Sequence, residues 1–236
     1  KEKIELYVEE PVFDGYYSNT CYQNRISEAL EHFNKQKETD FLNDWDHLIF
    51  HLPYAFQGRR MMLDIWLDWI NGKVLMENLE KEIGKLVDSV DVKVWKKAAS
   101  KSSFYQNFVR QKIEAGEKAS MQIGNMYTAS VFMSFLSFLS VSNDNQKELV
   151  DNVVGFLSYG SGSKSKILEG KVVDTWREKI NHLNIFESLN NRNFIDFKTY
   201  EKLHNNSLDK VIIKKNSMVL KEISKQENMQ GFRYYS

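Results

Sequence analysis

The stretch Ile49-Phe50-His51-Leu52-Pro53-Tyr54 decides the architecture of this 236-residue chain. Residues Asp46 to His51 hold a short apolar run that stops before Pro53, which reads as a buried strand ended where a ladder cannot continue. Directly behind it, Met62, Ile65, Trp66, Trp69 and Ile70 recur at helical spacing, and Gly72 supplies a stop. A strand, a turn carrying a histidine, then a helix is the order in which α/β folds present chemistry at strand ends.

Upstream, Ser18-Asn19-Thr20 offers helix caps, and Tyr22, Ile26, Ala29, Leu30 and Phe33 predict a helix over about 20–36. Downstream, residues 73–115 read as helical and connective, with one stripe of Leu75, Leu79, Ile83 and Leu86 and another from Trp95 to Phe108. Val131, Phe132, Phe135, Leu136 and Leu139 predict a strongly apolar helix, and Val153 to Leu157 a buried strand. Ile167 to Val173 is placed to pair with that strand across Ser158-Tyr159-Gly160-Ser161-Gly162. Residues 196–205 read as a short helix, with edge strands at Met218–Ile223 and Gly231–Tyr235. Two prolines and no low-complexity linker predict one continuous domain.

Hydrophobic residues at 42% and aromatics at 13% supply a real core and exclude a disordered chain. Lys+Arg and Asp+Glu balance at 32 each, so no global field draws the chain to nucleic acid or to an anionic membrane. The most apolar window, Val131 to Val141, is interrupted by serines and falls short of the ~20 residues a membrane helix needs. The charged start Lys1-Glu2-Lys3 has no apolar segment of a signal peptide, and the single Cys21 forms no internal disulfide. A reducing, cytoplasmic setting is the expectation.

Four features bear on chemistry. His51 reads either as a core histidine with one hydrogen bond or as a donor that polarises a carbonyl. Asn125, after Gly124 and before a helix, reads either as a cap or as an amide donor. The glycine-rich turn after Ser158 is either an ordinary hairpin or a place where backbone N–H groups reach a ligand. Cys21, in the predicted first helical turn with no histidine nearby, reads as a small buried residue. His47 lies at the far end of its strand from His51, and no acidic or cysteine partner sits at metal-ligand spacing, so no metal site is expected.

Phe-His-Leu-Pro-Tyr, Gly124-Asn125-Met126-Tyr127-Thr128-Ala129-Ser130 and Ser158-Tyr159-Gly160-Ser161-Gly162, in that order, resemble the C-terminal half of the 3-hydroxy-3-methylglutaryl-CoA synthase family of the thiolase superfamily. The likeness runs from the Glu10-Pro11-Val12-Phe13-Asp14-Gly15 connector to Ser161, and more loosely to Gly231-Phe232-Arg233. It implies an α/β fold: a thiolase-like half with a mixed five-stranded sheet, helices on both faces and 73–115 as a helical insertion. It implies a C–C bond-forming acyltransferase whose acetylated cysteine and basic glutamate belong to an N-terminal half outside these 236 residues. On that resemblance His51, Asn125 and the Ser161 backbone N–H are the catalytic positions, with Tyr159 and Gly160 beside the substrate. Cys21 matches a position after the connector, not the nucleophile.

Coenzyme-A-using relatives carry a lysine two residues past the Pro-aromatic pair, where this chain has Phe56. Arg59 and Arg60 are candidates for a phosphate instead, or simply begin a surface helix. The run resembles relatives of polyketide β-branching, whose thioesters ride on the phosphopantetheine of acyl carrier proteins. The expected partners are therefore the N-terminal half and acyl carrier proteins, in a dimer of complete units. No bound cofactor, nucleic acid or membrane is implied. Primary-metabolism synthesis from acetyl-CoA and acetoacetyl-CoA is the alternative, and without an N-terminal half the chain would be a non-catalytic binding module.

Overall fold

A computed structural model describes residues 14–160, 162–183, 185–208 and 218–236. The chain divides into two compact units, Lys1–Asn191 and Arg192–Ser236, where the scarcity of proline predicted one. The first unit runs α1 (Gly15–Gln36), β1 (His47–Phe50), α2 (Gln57–Ile70), α3 (Val74–Ile83), α4 (Val92–Lys101), α5 (Ser103–Lys112), α6 (Glu114–Ile123), α7 (Ala129–Asp144), β2 (Val153–Gly160), β3 (Lys164–Lys171), α8 (Trp176–Asn181) and α9 (Ile185–Asn190).

The strands form a mixed sheet in the order β1-β2-β3. β1 and β2 are parallel, with Ile49 opposite Phe156 and Phe50 opposite Leu157. β2 and β3 form an antiparallel hairpin in which Leu157 faces Ile167, the pairing expected from the sequence. Side chains alternate between two cores, as the pleat requires. Leu48, Phe50 and Leu157 pack with Tyr22, Ile26 and Leu30 of α1 and with Met62 and Trp66 of α2. Ile49 and Val154 pack on the opposite face with Val131 and Phe138 of α7 and Trp176 and Ile180 of α8. Helices therefore cover both faces.

Several expectations need correction. Among the described residues the main sheet has three strands, not five. The second unit holds α10 (Phe197–His204), β4 (Leu220–Ile223) and β5 (Arg233–Tyr235), and these two exposed strands pair with each other. The first helix starts earlier than predicted, because the Asp14 carboxylate accepts from the N–H groups of Tyr16 and Tyr17 and acts as its cap. Cys21 consequently lies past the first turn and is half-buried rather than a core residue. Within residues 73–115 lie α3, α4 and α5, with a non-helical stretch over 84–91 between the first two. Their residues Leu79, Trp95, Ala99, Tyr105 and Phe108 complete the core on the α1 side.

Candidate active site

The parallel pairing of β1 and β2 puts the carboxyl ends of both strands at the same edge of the sheet. His51 follows β1, and its backbone N–H donates to the Leu157 carbonyl at 2.9 Å, so it extends the ladder by one residue. Tyr159 and Gly160 end β2 at that same edge. The residues before α7, which packs across β1 and β2, bring Asn125, Tyr127 and Thr128 to the same place. Together these line a cleft of about 660 Å³, closed on another side by Ser18, Asn19 and Tyr22 of α1.

His51 is 7% exposed, and its Nδ1 is buried without a hydrogen-bond partner among the described residues. An unpartnered buried polar atom costs about 1–3 kcal/mol. Burial lowers the imidazole pKa below its ordinary 6.5, and a hydrogen bond with the Tyr127 backbone partly opposes that. The ring is thus neutral at pH 7, able to donate one N–H and accept at the other nitrogen. Two tyrosines hold it. The Tyr22 hydroxyl donates to the His51 carbonyl at 2.7 Å, and the Tyr22 and Tyr159 rings sit 4.8 Å apart, tilted by 60°.

Asn125 is exposed at the mouth of α7. Its Oδ1 accepts from the Tyr127 N–H at 2.7 Å, a local turn that commits the oxygen and leaves the amide NH₂ as the available donor. Gly124 before it has φ 85° and Tyr127 after it φ 50°, both left-handed. The segment therefore turns sharply between α6 and α7, and the turn lifts the amide into the cleft.

The structure brings His51, Asn125, Tyr159 and Gly160 together; Ser161 lies outside the described residues. Arg59 and Arg60 line a neighbouring cleft of about 440 Å³ with Lys96, Lys97 and Lys101 of α4. The Arg59 guanidinium is already paired with Glu117, its Nε donating to Oε1 at 3.0 Å and to Oε2 at 2.9 Å. Arg60 stacks over Tyr54, which lines the His51 cleft, with Cζ 5.4 Å from the ring centre. His47 faces away, bonded to Asn152 Oδ1 at 3.2 Å. Among the described residues no group of three His, Cys, Asp or Glu side chains is arranged to hold a metal ion.

Sequence reading missed Tyr22 and Gln57 as cleft residues. Tyr22 sits on an apolar helical stripe and reads as core. Gln57 opens α2, is 3% exposed and has no partner for its Oε1 among the described residues; a polar residue at a helix start carries no signal of its own.

The fold and site together form an α/β unit with helices on both faces of its sheet and a cleft holding His51 and Asn125 at the strand ends. The chain belongs to the family described as hydroxymethylglutaryl-coenzyme A synthase C terminal, which matches residues 3–235. A hydroxymethylglutaryl-CoA synthase of Haloferax volcanii is 26% identical over 204 residues, covering 82% of this chain and 46% of the relative. Among solved structures, MvaS in complex with 3-hydroxy-3-methylglutaryl coenzyme A superposes with a TM-score of 0.67 at 21% identity, covering 95% of this chain and 51% of that one. The HMG synthase of the curacin biosynthetic pathway, solved with a holo donor carrier protein (donor-ACP), gives a TM-score of 0.59 at 20% identity, with coverages of 82% and 40%. The chain thus spans about half the length of these relatives.

Proposed function

We propose that this chain forms the carbonyl-polarising half of a hydroxymethylglutaryl-synthase-type active site that adds an acetyl unit to the β-ketone of an acyl-carrier-protein thioester. The observation that carries this is the convergence of His51, Asn125 and Tyr159 at one strand edge of a family fold. In the reaction, an acetyl group on a cysteine of the other half loses a proton from its methyl carbon to the basic glutamate of that same half. That carbon forms a C–C bond to the ketone carbon, and the carbonyl electron pair moves to oxygen. His51 donates its N–H to that oxygen as charge develops and completes the proton transfer. The Asn125 amide donates to a thioester oxygen. Water then cleaves the enzyme thioester, returning the thiol and leaving a carboxylate. Preorganised donors of this kind do most of their work in the transition state.

The carrier-protein reading is supported by the cleft beside the site. Lys96 is neutralised by Asp64 at 2.7 Å and Arg59 by Glu117, while Arg60, Lys97 and Lys101 have no ion pair among the described residues. These three cations in one cleft, with Arg60 over the Tyr54 ring, suit an acidic helix and a phosphopantetheine phosphate. Phe56 stands where coenzyme-A users carry lysine. The alternative, free coenzyme A thioesters, is favoured by the names of the curated relatives.

The test uses the complete enzyme. Lys97→Glu with Lys101→Glu raises KM about tenfold or more for a carrier-bound thioester, with a short pantetheine thioester unaffected, and KM for the carrier rises with salt. Equal loss with both substrates, or preferential turnover of acetyl-CoA with acetoacetyl-CoA, overturns the carrier reading.

A further inference from the structure

We propose that Arg59 and Glu117 are positioning residues: a buried ionic strut that sets the spacing between His51 and Asn125. The inference rests on the functional reading above. His51 is placed by the turn that enters α2, and Asn125 by the turn that leaves α6. The two turns come from opposite ends of a long connection, and α2 and α6 make few backbone approaches to each other. The Arg59–Glu117 pair spans that gap. Arg59 lies in the first turn of α2, and Glu117 on the buried side of α6, with its carboxylate side chain 1% exposed. The guanidinium meets the carboxylate through Nε and a terminal nitrogen, a planar fork that fixes orientation as well as distance. The backbone is pinned too, because the Tyr105 hydroxyl of α5 donates to the Arg59 carbonyl. Neither residue of the pair lines the His51 cleft.

Burial pushes the Glu117 carboxyl up from its ordinary value and the Arg59 guanidinium counters it; in return the carboxylate holds Arg59 charged. A buried ion pair is weak evidence for stability, since an apolar pair of similar volume often serves as well or better. What an apolar pair lacks is direction. At this place in the fold the direction matters, because His51 on one side of the gap and Asn125 and Tyr127 on the other line the same cleft. Lengthening that gap moves the ketone donor away from the thioester donor, and a displacement of about 1 Å can cost 100-fold in rate.

Two variants test this. Arg59→Met with Glu117→Leu removes the fork without leaving an unpaired charge, and Arg59→Lys keeps the charge but loses the planar fork. In the complete enzyme both lower kcat by about tenfold to 100-fold with KM for the carrier thioester within twofold. In this chain the His51 imidazole and Asn125 side-chain amide NMR resonances shift in both variants, and the His51 titration midpoint moves. Unchanged resonances and kcat overturn the strut. So does a raised KM at constant kcat, which would make Arg59 a phosphate contact. A wild-type enzyme without turnover would defeat the functional reading alone, and the resonances would still decide the strut.

Discussion

His51 shows how burial prepares a side chain for one protonation state. Its depressed pKa means the folded protein binds fewer protons at this ring than the unfolded chain. The resulting stability is fully present above pH 6.5, the ordinary value, and is lost as pH falls through the lower folded value. His47, lowered by burial against its bond to Asn152, adds to the same acid limb. Melting temperatures measured between pH 7.5 and 5 should therefore fall for the wild type and fall less for His51→Gln; parallel curves would contradict the burial argument. In the complete enzyme, His51→Gln or Asn125→Ala should each lower kcat by about 100- to 1000-fold, with acetylation of the other half's cysteine retained. Loss of acetylation as well would place these residues in a different step. Both residues were legible in the sequence because short motifs carry them. Tyr22 and Gln57 were not. Whether a tyrosine on an apolar stripe faces a core or a cleft depends on what the opposite wall leaves open, which no spacing encodes.

Strands, helices and their order were largely legible wherever apolar periodicity was strong. β1, α2, α7, β2 and β3 all stand where the pattern put them. α6 was not recognised, and its buried face explains why: it consists of Gly116, Glu117, Ala119 and Ser120. These small residues let α6 lie close against α7. There the Ser137 hydroxyl donates to the Ala115 carbonyl at 2.7 Å and accepts from the Ala119 N–H at 3.0 Å. A helix packed through glycine and serine has no hydrophobic stripe to read. Among the glycines, Gly155 in the middle of β2 leaves the least room for a side chain. A Cβ there would lie 2.0 Å from the Trp45 ring, and Trp45 is fully buried. Gly155→Ala should cost about 1–3 kcal/mol or more by overpacking, read as a lower denaturant midpoint at unchanged m-value. A neutral result would mean that the Trp45 ring has room to shift. Because β2 carries Tyr159 and Gly160 to the cleft, the same variant should also weaken the site.

At the scale of the molecule, the chain is an α/β unit of its family that spans about half the length of its relatives. The sequence motifs disclosed that family. They did not disclose that β4 and β5 pair only with each other among the described residues, because pairing partners of exposed strands are chosen by tertiary contacts. The far side of the sheet carries an apolar groove of about 420 Å³ between α7, β2 and α8, bordered by Phe132, Phe156 and Trp176. Phe132 is 67% exposed there. Under the proposed function, the other half of the synthase covers this face. The chain alone should then self-associate with rising concentration, and Phe132→Ser should reduce that while weakening assembly with the other half. Sedimentation of the chain with and without its complement reads both effects. Concentration-independent monomers in both cases would contradict the proposal. Among the described residues no helix is long and apolar enough to cross a membrane.

The most direct test of the central claim is intact-mass analysis of a β-ketoacyl carrier protein incubated with the complete enzyme and an acetyl donor. The account predicts that the carrier gains the mass of acetic acid with wild-type enzyme. With His51→Ala, acetyl-enzyme should accumulate while the carrier mass stays unchanged. A carrier that gains the same mass at the same rate with His51→Ala would contradict the claim that this chain supplies the group that polarises the ketone.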